Sequence, residues 1–248
     1  MNKRWQKLIR SLHNKKFRKK ENLFLVEGAK NILELIKSDL EIEGLFYTEE
    51  FQEEQHTVLE QLSCEQEVAS DDVLKKVGTF QSNNSGIAVV KTPENAPLNL
   101  DNQVVIALDD VRDPGNLGTI IRIADWYGVK QVLCSLNCAD WYNPKVINAS
   151  MGSFTRVKPY YIDLKEYLVG LSDEVMVYGT FMNGINVQQA KVTKPAILIF
   201  GNESNGISTE VADLVHVKLT IPRRGMAESL NVSIAAAVVC DNVFRSLT

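Results

Sequence analysis

The stretch "IPRRGMAESLNVSIAAAVVCDNVFR", from Ile221 to Arg245, joins a polar loop to an almost wholly apolar helix. Its first half contains a proline, a glycine and two arginines, whereas its second half favours a helix throughout. Glu228, Ser229 and Asn231 stand where that helix begins, a position where polar side chains cap a helix or meet a ligand. A helix that is apolar nearly all round must be buried on several sides. The segment therefore predicts a core helix with a polar site at its N-terminus.

Two upstream segments share the order of apolar strand, Gly/Asn-rich turn and helix. They are "ALDDVRDPGNLGTIIRIAD" (107–125) and "ILIFGNESNGIS" (197–208). In open α/β sheets, ligands bind beyond the carboxyl ends of the strands, and glycines let the backbone approach them closely. Together with the loop at 221–231, these segments predict one composite pocket.

The remaining pattern predicts an α/β protein with two domains. Strands alternate with helices from Leu23 to Val90, which is typical of a small α/β layer. The stretch "KTPENAPLNLDN" (91–102) has two prolines, three asparagines and no periodicity, as in a linker. We therefore predict a first domain over 1–92, a linker over 93–102 and a second domain over 103–248.

Charge is distributed unevenly along the chain. Residues 1–20 contain 9 of the 27 Lys and Arg residues and no acid, so the other residues carry 18 basic against 31 acidic groups, a net charge of −13. A basic arm on an acidic body favours a polyanionic partner. The alternative is a solvated amphipathic helix, because Trp5, Leu8, Ile9 and Leu12 follow helical spacing.

Several classes of protein are disfavoured. No apolar run approaches the roughly 20 residues that span a bilayer, and no apolar signal core opens the chain, so we expect neither a membrane span nor secretion. The four cysteines form no CxxC pair and the three histidines are scattered, which predicts no metal site and reduced thiols in a cytoplasmic protein. The phosphate-loop, dinucleotide-binding and serine-hydrolase motifs are all missing.

In order and spacing, the three segments resemble the motifs of the SpoU/TrmH group of RNA ribose 2′-O-methyltransferases, in the knotted SPOUT superfamily. The matching positions are Asn116, Gly118 and Arg122 in the first motif, Gly201, Asn202, Glu203 and Gly206 in the second, and Pro222, Ser229, Leu230 and Asn231 in the third. Upstream, "FLVEGAKNILELI" and "SGIAVV" resemble the small α/β substrate-binding domain that precedes the catalytic domain in many members.

This resemblance implies a C-terminal α/β knot, a deep trefoil made when the chain end threads through a loop, preceded by a small α/β RNA-binding domain. It implies S-adenosylmethionine as cofactor, RNA as substrate and a homodimer that packs through the final helix. Ribosomal RNA is favoured over tRNA, because the accessory domain is more common on members that act on rRNA. The residues that it assigns to cofactor binding are Ile199, Phe200, Gly201, Asn202, Gly206, Ile221 and Leu230.

The resemblance places Arg122 in the catalytic set. Because arginine stays protonated in proteins, we expect it to hold a substrate phosphate and favour the alkoxide by its charge, rather than to act as a base. The alternative is a surface salt bridge with Asp125. Asn116 is expected to orient Arg122 or the ribose, or to cap a helix.

The other expected site residues have alternatives of the same kind. Ser229 and Asn231 are expected to bond the nucleotide or Arg122, or else to cap the last helix. Glu203 is expected to brace the pocket loops, or else to be a solvated acid. Trp126 and Tyr127 are expected in the core rather than as base-stacking platforms. The residues predicted to contact RNA are Lys15, Lys16, Arg18, Lys19, Lys20, Arg223 and Arg224.

Three other functions remain open at this stage. A knotted methyltransferase could act on a base nitrogen, although Arg122 with the Ser-Leu-Asn triplet favours ribose. A non-catalytic RNA-binding module could share the fold, although the complete polar set favours catalysis. A non-knotted dinucleotide-binding domain is a weaker candidate, because the glycine fingerprint is missing.

Overall fold

The computed structural model describes residues 1–80, 83–94, 98 and 100–247. Residues 95–97 and 99 of the predicted linker lie outside the described residues. The chain divides into two compact units: Met1–Glu94 with Asp140–Thr155, and Asn95–Ala139 with Arg156–Thr248.

Four strands of the described first unit form a mixed sheet in the order β1-β4-β2-β3, in which only β2 and β3 run parallel. The elements of this unit are α1 (Lys3–Leu12), α2 (Lys15–Glu21), β1 (Leu23–Glu27), α3 (Ala29–Ile36), β2 (Ile42–Tyr47), α4 (Glu49–Leu59), β3 (Glu65–Val68), α5 (Asp71–Val77), β4 (Gly86–Lys91), α7 (Pro144–Ser150) and a short 3-10 helix (Ser153–Thr155).

The basic arm forms two helices, of which the sequence indicated only the first. The side chain of Asn2 caps α1 by accepting from the backbone N–H of Trp5 at 3.1 Å. Trp5, Ile9 and Leu12 are buried in a core with strands β1 and β2. The arm is therefore an integral part of the first unit, and eight of its nine cations lie on the opposite, exposed helix faces.

Residues 140–155 lie across the predicted division of the chain. The sequence pattern predicts them in the second domain, whereas they cluster with the first unit. Ile147 and Phe154 are buried beside Phe24, because the hydrophobic face of β1 needs apolar cover.

Arg18 fastens the same segment by its charge. Its side chain is 5% exposed, and its Nη2 contacts Asp140 Oδ2 at 2.5 Å. Its Nη1 donates to the backbone carbonyls of Leu12 and His13 at 2.7 and 2.9 Å. A buried guanidinium is stable only with its donors satisfied in this way, so the prediction that Arg18 binds RNA is wrong.

Six strands of the described second unit form a sheet in the order β10-β8-β9-β5-β6-β7, and all neighbours run parallel. The elements of this unit are β5 (Val104–Leu108), α6 (Pro114–Trp126), β6 (Gln131–Ser135), β7 (Lys158–Ile162), α8 (Leu164–Val169), β8 (Met176–Asn186), β9 (Ala196–Phe200), α9 (Thr209–Ala212), β10 (Val217–Thr220) and α10 (Val232–Ser246).

Parallel pairing brings the polar loops to one edge of this sheet. Strands β5 and β9 are buried along their whole length, as expected of central parallel strands. Leu108 at the end of β5 is in register with Phe200 at the end of β9. The loops that follow these strands, 92 residues apart in sequence, therefore begin side by side.

Helix boundaries differ from the predicted ones where polar residues cap the helices. Helix α6 begins at Pro114, earlier than expected, because Asp113 caps it by accepting from the backbone N–H of Asn116 at 2.8 Å. The sequence pattern did not predict helix α8.

No described helix is long and apolar enough to cross a membrane.

We predict that Arg18→Met lowers the free energy of unfolding of the first unit by about 3 kcal/mol, because it leaves a partly buried carboxylate and two carbonyls without their donor. Urea unfolding would measure the change. Lys19→Met, on the exposed side of α2, is the matched control and should have little effect. An Arg18→Met protein as stable as the control would contradict this structural role.

Candidate functional site

A pocket of about 930 Å³ lies at the carboxyl edge of the parallel sheet in the second unit. Its walls are the loop after β9, the loop after β10, the C-terminal part of β8 and the start of α10. This volume is within the range of ligand pockets. The pocket-lining residues are 180–183, 200–207, 218–225, 227–230, Val232, Ala235 and Val239.

The loop after β9 folds into a tight turn that favours glycine at two positions. A side chain at Gly201 would come within 2.2 Å of the backbone of Gly206, and Gly206 itself has a φ of +69°. Asn202 completes the turn, because its Oδ1 accepts from the backbone N–H groups of Ser204 and Asn205 at 2.9 and 3.1 Å. Residues 200–207, which include this turn, line the pocket.

Two aspartates after β5 fasten this turn to the neighbouring loop. The buried carboxylate of Asp109 accepts from the backbone N–H of Ser208 at 2.7 Å. Asn202 Nδ2 donates to the backbone carbonyl of Asp110 at 2.8 Å. Asp110 has a φ of +60°, a left-handed conformation that aspartate tolerates better than most residues.

A chain of side-chain hydrogen bonds joins all three predicted motifs. Asn231 Nδ2 donates to Asn116 Oδ1 at 2.9 Å, and Asn116 Nδ2 donates to Glu203 Oε1 at 2.8 Å. Because the ionised carboxylate of Glu203 can only accept, it fixes the orientation of both amides in turn. Asn231 Oδ1 is then left to accept from Ser233 and Ile234 at the start of α10.

This network decides between the alternatives for three polar residues. Asn231 caps α10 and also contacts the first motif. Asn116 is not a cap, because Asp113 occupies that position of α6. Glu203 is exposed, yet it is held by Asn116 and lines the pocket. Ser229 also lines the pocket, in the exposed loop before α10.

Arg122 is the predicted catalytic residue that lies apart from this network. It is exposed on α6 and is not among the pocket-lining residues, and its side chain makes no hydrogen bond or ion pair within the described residues. The alternative for Arg122, a salt bridge with Asp125, is not formed, and Asp125 pairs with Arg156 at 2.9 Å. Asn116 does not orient Arg122 in this structure, since both ends of its amide are bonded elsewhere.

Of the predicted cofactor-binding residues, six line the pocket and Ile199 does not. Ile199 is fully buried in β9, where its backbone carbonyl accepts from Thr180 Oγ1 at 3.1 Å. The six pocket-lining residues are Phe200, Gly201, Asn202, Gly206, Ile221 and Leu230.

The two arginines predicted to contact RNA line the pocket, whereas the two aromatic residues at the end of α6 differ in their exposure. Arg223 and Arg224 line the pocket, and Arg223 Nη1 donates to the carbonyl of Ala227 within the same loop at 3.2 Å. Trp126 is 85% exposed, so the expectation that it is a core residue is wrong. Tyr127 is half-buried and stacks on Phe244 of α10, with ring centroids 5.2 Å apart.

The pocket also uses residues 180–183, which sequence reasoning missed. Pairing between β10 and β8 jumps from Lys218 opposite Gly179 to Leu219 opposite Ile185. The intervening part of β8 leaves the ladder, and Thr180, Phe181, Met182 and Asn183 line the pocket. The polar "MNG" after an apolar strand was the available signal, since the other pocket loops follow strands in the same way.

Local contacts shift the pKa values of two side chains near the site. The hydrogen bond from Arg112 to the carboxylate of Asp110 raises the pKa of that guanidinium. Burial raises the pKa of the Cys240 thiol in α10 to about 12, which makes it a packing residue rather than a nucleophile. Within the described residues, no group of three or more His, Cys, Asp or Glu could hold a metal ion.

Comparisons with known proteins agree with this geometry. Residues 103–241 match the SpoU rRNA Methylase family, and residues 6–88 match the MRM3-like substrate binding domain. The chain is 32% identical to the 23S rRNA (guanosine(2553)-2′-O)-methyltransferase RlmP of Bacillus subtilis, over 95% of this chain and 92% of that protein. It is 28% identical to the tRNA (guanosine(18)-2′-O)-methyltransferase of Escherichia coli, over 55% of this chain and 60% of that protein.

A solved structure extends the similarity to the whole fold. The SpoU methyltransferase AviRb from Streptomyces viridochromogenes, in complex with the cofactor AdoMet, superposes with a TM-score of 0.87. It is 26% identical to this protein, and the alignment covers 100% of this chain and 98% of that one.

We predict that Asp109→Ala loosens the turn at 201–208, because the Ser208 N–H loses its buried acceptor, at a cost of about 1–3 kcal/mol. Amide hydrogen exchange should become faster across 201–208 and remain slow in β6. The exposed Asp213→Ala is the matched control. Exchange at Ser208 that is equally protected in both variants would show that Asp109 does not hold the turn.

Proposed function

Because the chain belongs to the SpoU rRNA methylase family, we propose that it transfers a methyl group from S-adenosylmethionine to a ribose 2′-hydroxyl of ribosomal RNA. The second unit has the α/β knot fold of SPOUT methyltransferases. The full-length relative carries a 2′-O-methyltransferase name, which favours the ribose over a base nitrogen and catalysis over binding alone.

The observation that carries this function is the hydrogen-bonded chain Asn231–Asn116–Glu203 at the rim of the pocket. It links residues from all three motifs, so the loops form one polar site rather than three separate turns. Methyl transfer needs the attacking oxygen, the methyl carbon and the sulfur in line. A site held from three sides can maintain that alignment.

The pocket suits a cationic, partly apolar cofactor. Bound S-adenosylmethionine supplies the methyl group on a sulfonium. The residues that would hold it are the backbone around Gly201 and Ile221 and the side chain of Leu230, which line the pocket together. Glu203 contributes a negative charge at the same wall, which favours a sulfonium by Coulomb attraction.

Arg122 is proposed to act on the RNA rather than on the cofactor. It is exposed and lies outside the wall of the pocket, so its guanidinium is free to hold a phosphate of the bound strand in a bidentate contact. Its fixed positive charge then favours loss of the proton from the 2′-hydroxyl. The proton passes to that phosphate or to water, because arginine itself cannot accept it.

Ribosomal RNA is favoured by how much of the chain each relative matches. The rRNA enzyme aligns with 95% of this chain, including the first unit, whereas the tRNA enzyme aligns with 55%.

The reaction is tested directly by letting the protein methylate RNA, digesting that RNA to nucleosides and identifying the methylated product. A 2′-O-methylated ribose is the expected product, and a methylated base would refute the proposal.

We predict that Arg122→Ala abolishes methyl transfer while binding of S-adenosylmethionine survives. Losing a charge-assisted contact in the transition state costs about 3 kcal/mol or more, a hundredfold or greater loss of rate. Radiolabelled methyl transfer and calorimetric cofactor binding would separate the two effects. Lys165→Ala, a surface cation of α8, is the control. Turnover by Arg122→Ala within a few-fold of the control would remove Arg122 from the mechanism.

We also propose that the protein is a homodimer that packs through α6 and α10. Tyr127, directly after α6, stacks on Phe244 of α10, and each helix carries an exposed apolar side chain, Trp126 at 85% and Ile234 at 52%. Large apolar side chains exposed on packed helices favour a protein interface.

We predict that the wild-type protein sediments as a dimer at micromolar concentration and that Ile234→Glu sediments as a monomer, because a buried unpaired carboxylate opposes association. The control is Val169→Glu, at an exposed apolar position of the same unit. A wild-type monomer, or an Ile234→Glu dimer as stable as the control, would contradict this interface.

The remaining proposals concern location and metals. An rRNA substrate and four free thiols support a cytoplasmic location. The reaction as proposed needs no metal, since the sulfonium is already an activated methyl donor. Measuring methyl transfer in the presence of a chelator would test that prediction.

A further inference from the structure

The surface of α2 combines one exposed aromatic ring with several exposed cations. Phe17 is 39% exposed, and among the described residues of the first unit it is the only exposed Phe, Tyr or Trp. Four lysines of the same helix are exposed, and three of them make no ion pair within the described residues. The four are Lys15, Lys16, Lys19 and Lys20.

The helix holds this arrangement in place from its other side. Arg18 points into the first unit, where it bonds Asp140 and the carbonyls that end α1. Asn14 caps α2 by accepting from the backbone N–H of Lys16 at 2.9 Å. With the helix anchored through Arg18, Phe17 cannot turn inward without breaking a buried ion pair, so its ring stays at the surface.

An exposed ring among lysines matches the chemistry of an unpaired nucleotide. Every nucleobase has a face that stacks on an aromatic ring, and the phosphates on either side are met by cations. Lys20 lies three residues after Phe17 and is therefore beside it on the surface of α2, and Lys16 precedes Phe17 in the chain and is likewise exposed. A protein partner with an acidic surface would satisfy the lysines but would leave the ring without a specific role.

We propose that Phe17 is a base-stacking platform, on which an unpaired base of the RNA substrate stacks while Lys16, Lys19 and Lys20 hold the neighbouring phosphates. This inference rests on the proposed RNA substrate and adds to it a preference for single-stranded or looped RNA. Stacking needs a base that is free of its helix, whereas phosphate contacts are made equally well by a duplex.

The two kinds of contact differ in their dependence on salt. Phosphate contacts release counterions, so each lost contact flattens the log-log salt dependence by about 0.7 for a single strand. Loss of stacking weakens binding without changing that slope. The aromatic and cationic contributions can therefore be separated by titration at several salt concentrations.

The test uses the full chain and a fluorescein-labelled single-stranded RNA about 15 nucleotides long, with a duplex of the same length for comparison. Anisotropy is measured between about 50 and 200 mM salt. Phe17→Ala should weaken single-strand binding roughly 5- to 100-fold with an unchanged slope and leave duplex binding nearly unaltered. Replacing Lys16, Lys19 and Lys20 with glutamine should weaken both and flatten the slope by about 2.

Conservative variants distinguish stacking from packing. Phe17→Tyr keeps the ring and should bind as the wild type does, whereas Phe17→Leu keeps apolar bulk without the ring and should bind as weakly as Phe17→Ala. Val68→Ala, which is 38% exposed in wild type within the same unit, is the control for a truncated surface side chain. Single-strand affinity that survives Phe17→Ala, or that Phe17→Leu restores as well as Phe17→Tyr, would overturn the proposal.

The methylation assay keeps this result separate from the proposed function. If the wild-type protein produces no methylated ribose but the Phe17 series behaves as expected, stacking stands and the enzymatic assignment fails. If methylation proceeds and the Phe17 series binds single-stranded RNA uniformly, the enzyme stands and the stacking platform is refuted.

Discussion

The parallel register of β5 on β9 is the constraint on which the pocket depends. Leu108 lies opposite Phe200, and the backbone N–H of Asp109 continues the ladder by donating to the carbonyl of Phe200 at 2.9 Å. Directly after these residues both strands end, and the two loops that follow must share a narrow space. Glycine at position 201 and a left-handed Asp110 allow that crowding, which larger or β-branched residues would prevent.

Beyond the strand ends, where the hydrogen bonds of the sheet stop, side-chain amides hold the loops together. Asn202 replaces the lost backbone pairing by bonding its own turn and Asp110. Asn116 and Asn231 extend the same device to the third loop, and Glu203 sets the direction of the chain. Asparagine suits this task, because each amide both donates and accepts. The polar residues at the mouth of the apolar helix are thus structural ties as well as candidates for chemistry.

Sequence patterns could predict the strands, the final helix and the three loops, because periodicity and turn residues are local signals. They could not predict that Arg18 is buried. Its local context is a run of lysines, and its partner Asp140 is 122 residues away. The contribution of residues 180–183 was hidden for a similar reason, since it arises from a shift in pairing between β8 and β10. Nor could they predict that Trp126 is 85% exposed, because an aromatic side chain at that position of an apolar helix is expected in the core.

The acidic balance of the chain does not oppose binding of RNA, because charge acts locally in salt water. At physiological ionic strength the screening length is about 8 Å, so an RNA strand at α1 and α2 experiences the cations of that surface far more than the −13 carried by residues 21–248. Arg18 is neutralised internally by Asp140, and the exposed lysines of α2 remain for the phosphates. The same screening limits how strongly those lysines can hold RNA on their own. A neutral contact such as stacking on Phe17 retains its strength when salt rises, which is why an aromatic ring within a basic surface is physically useful to a protein whose overall charge is negative.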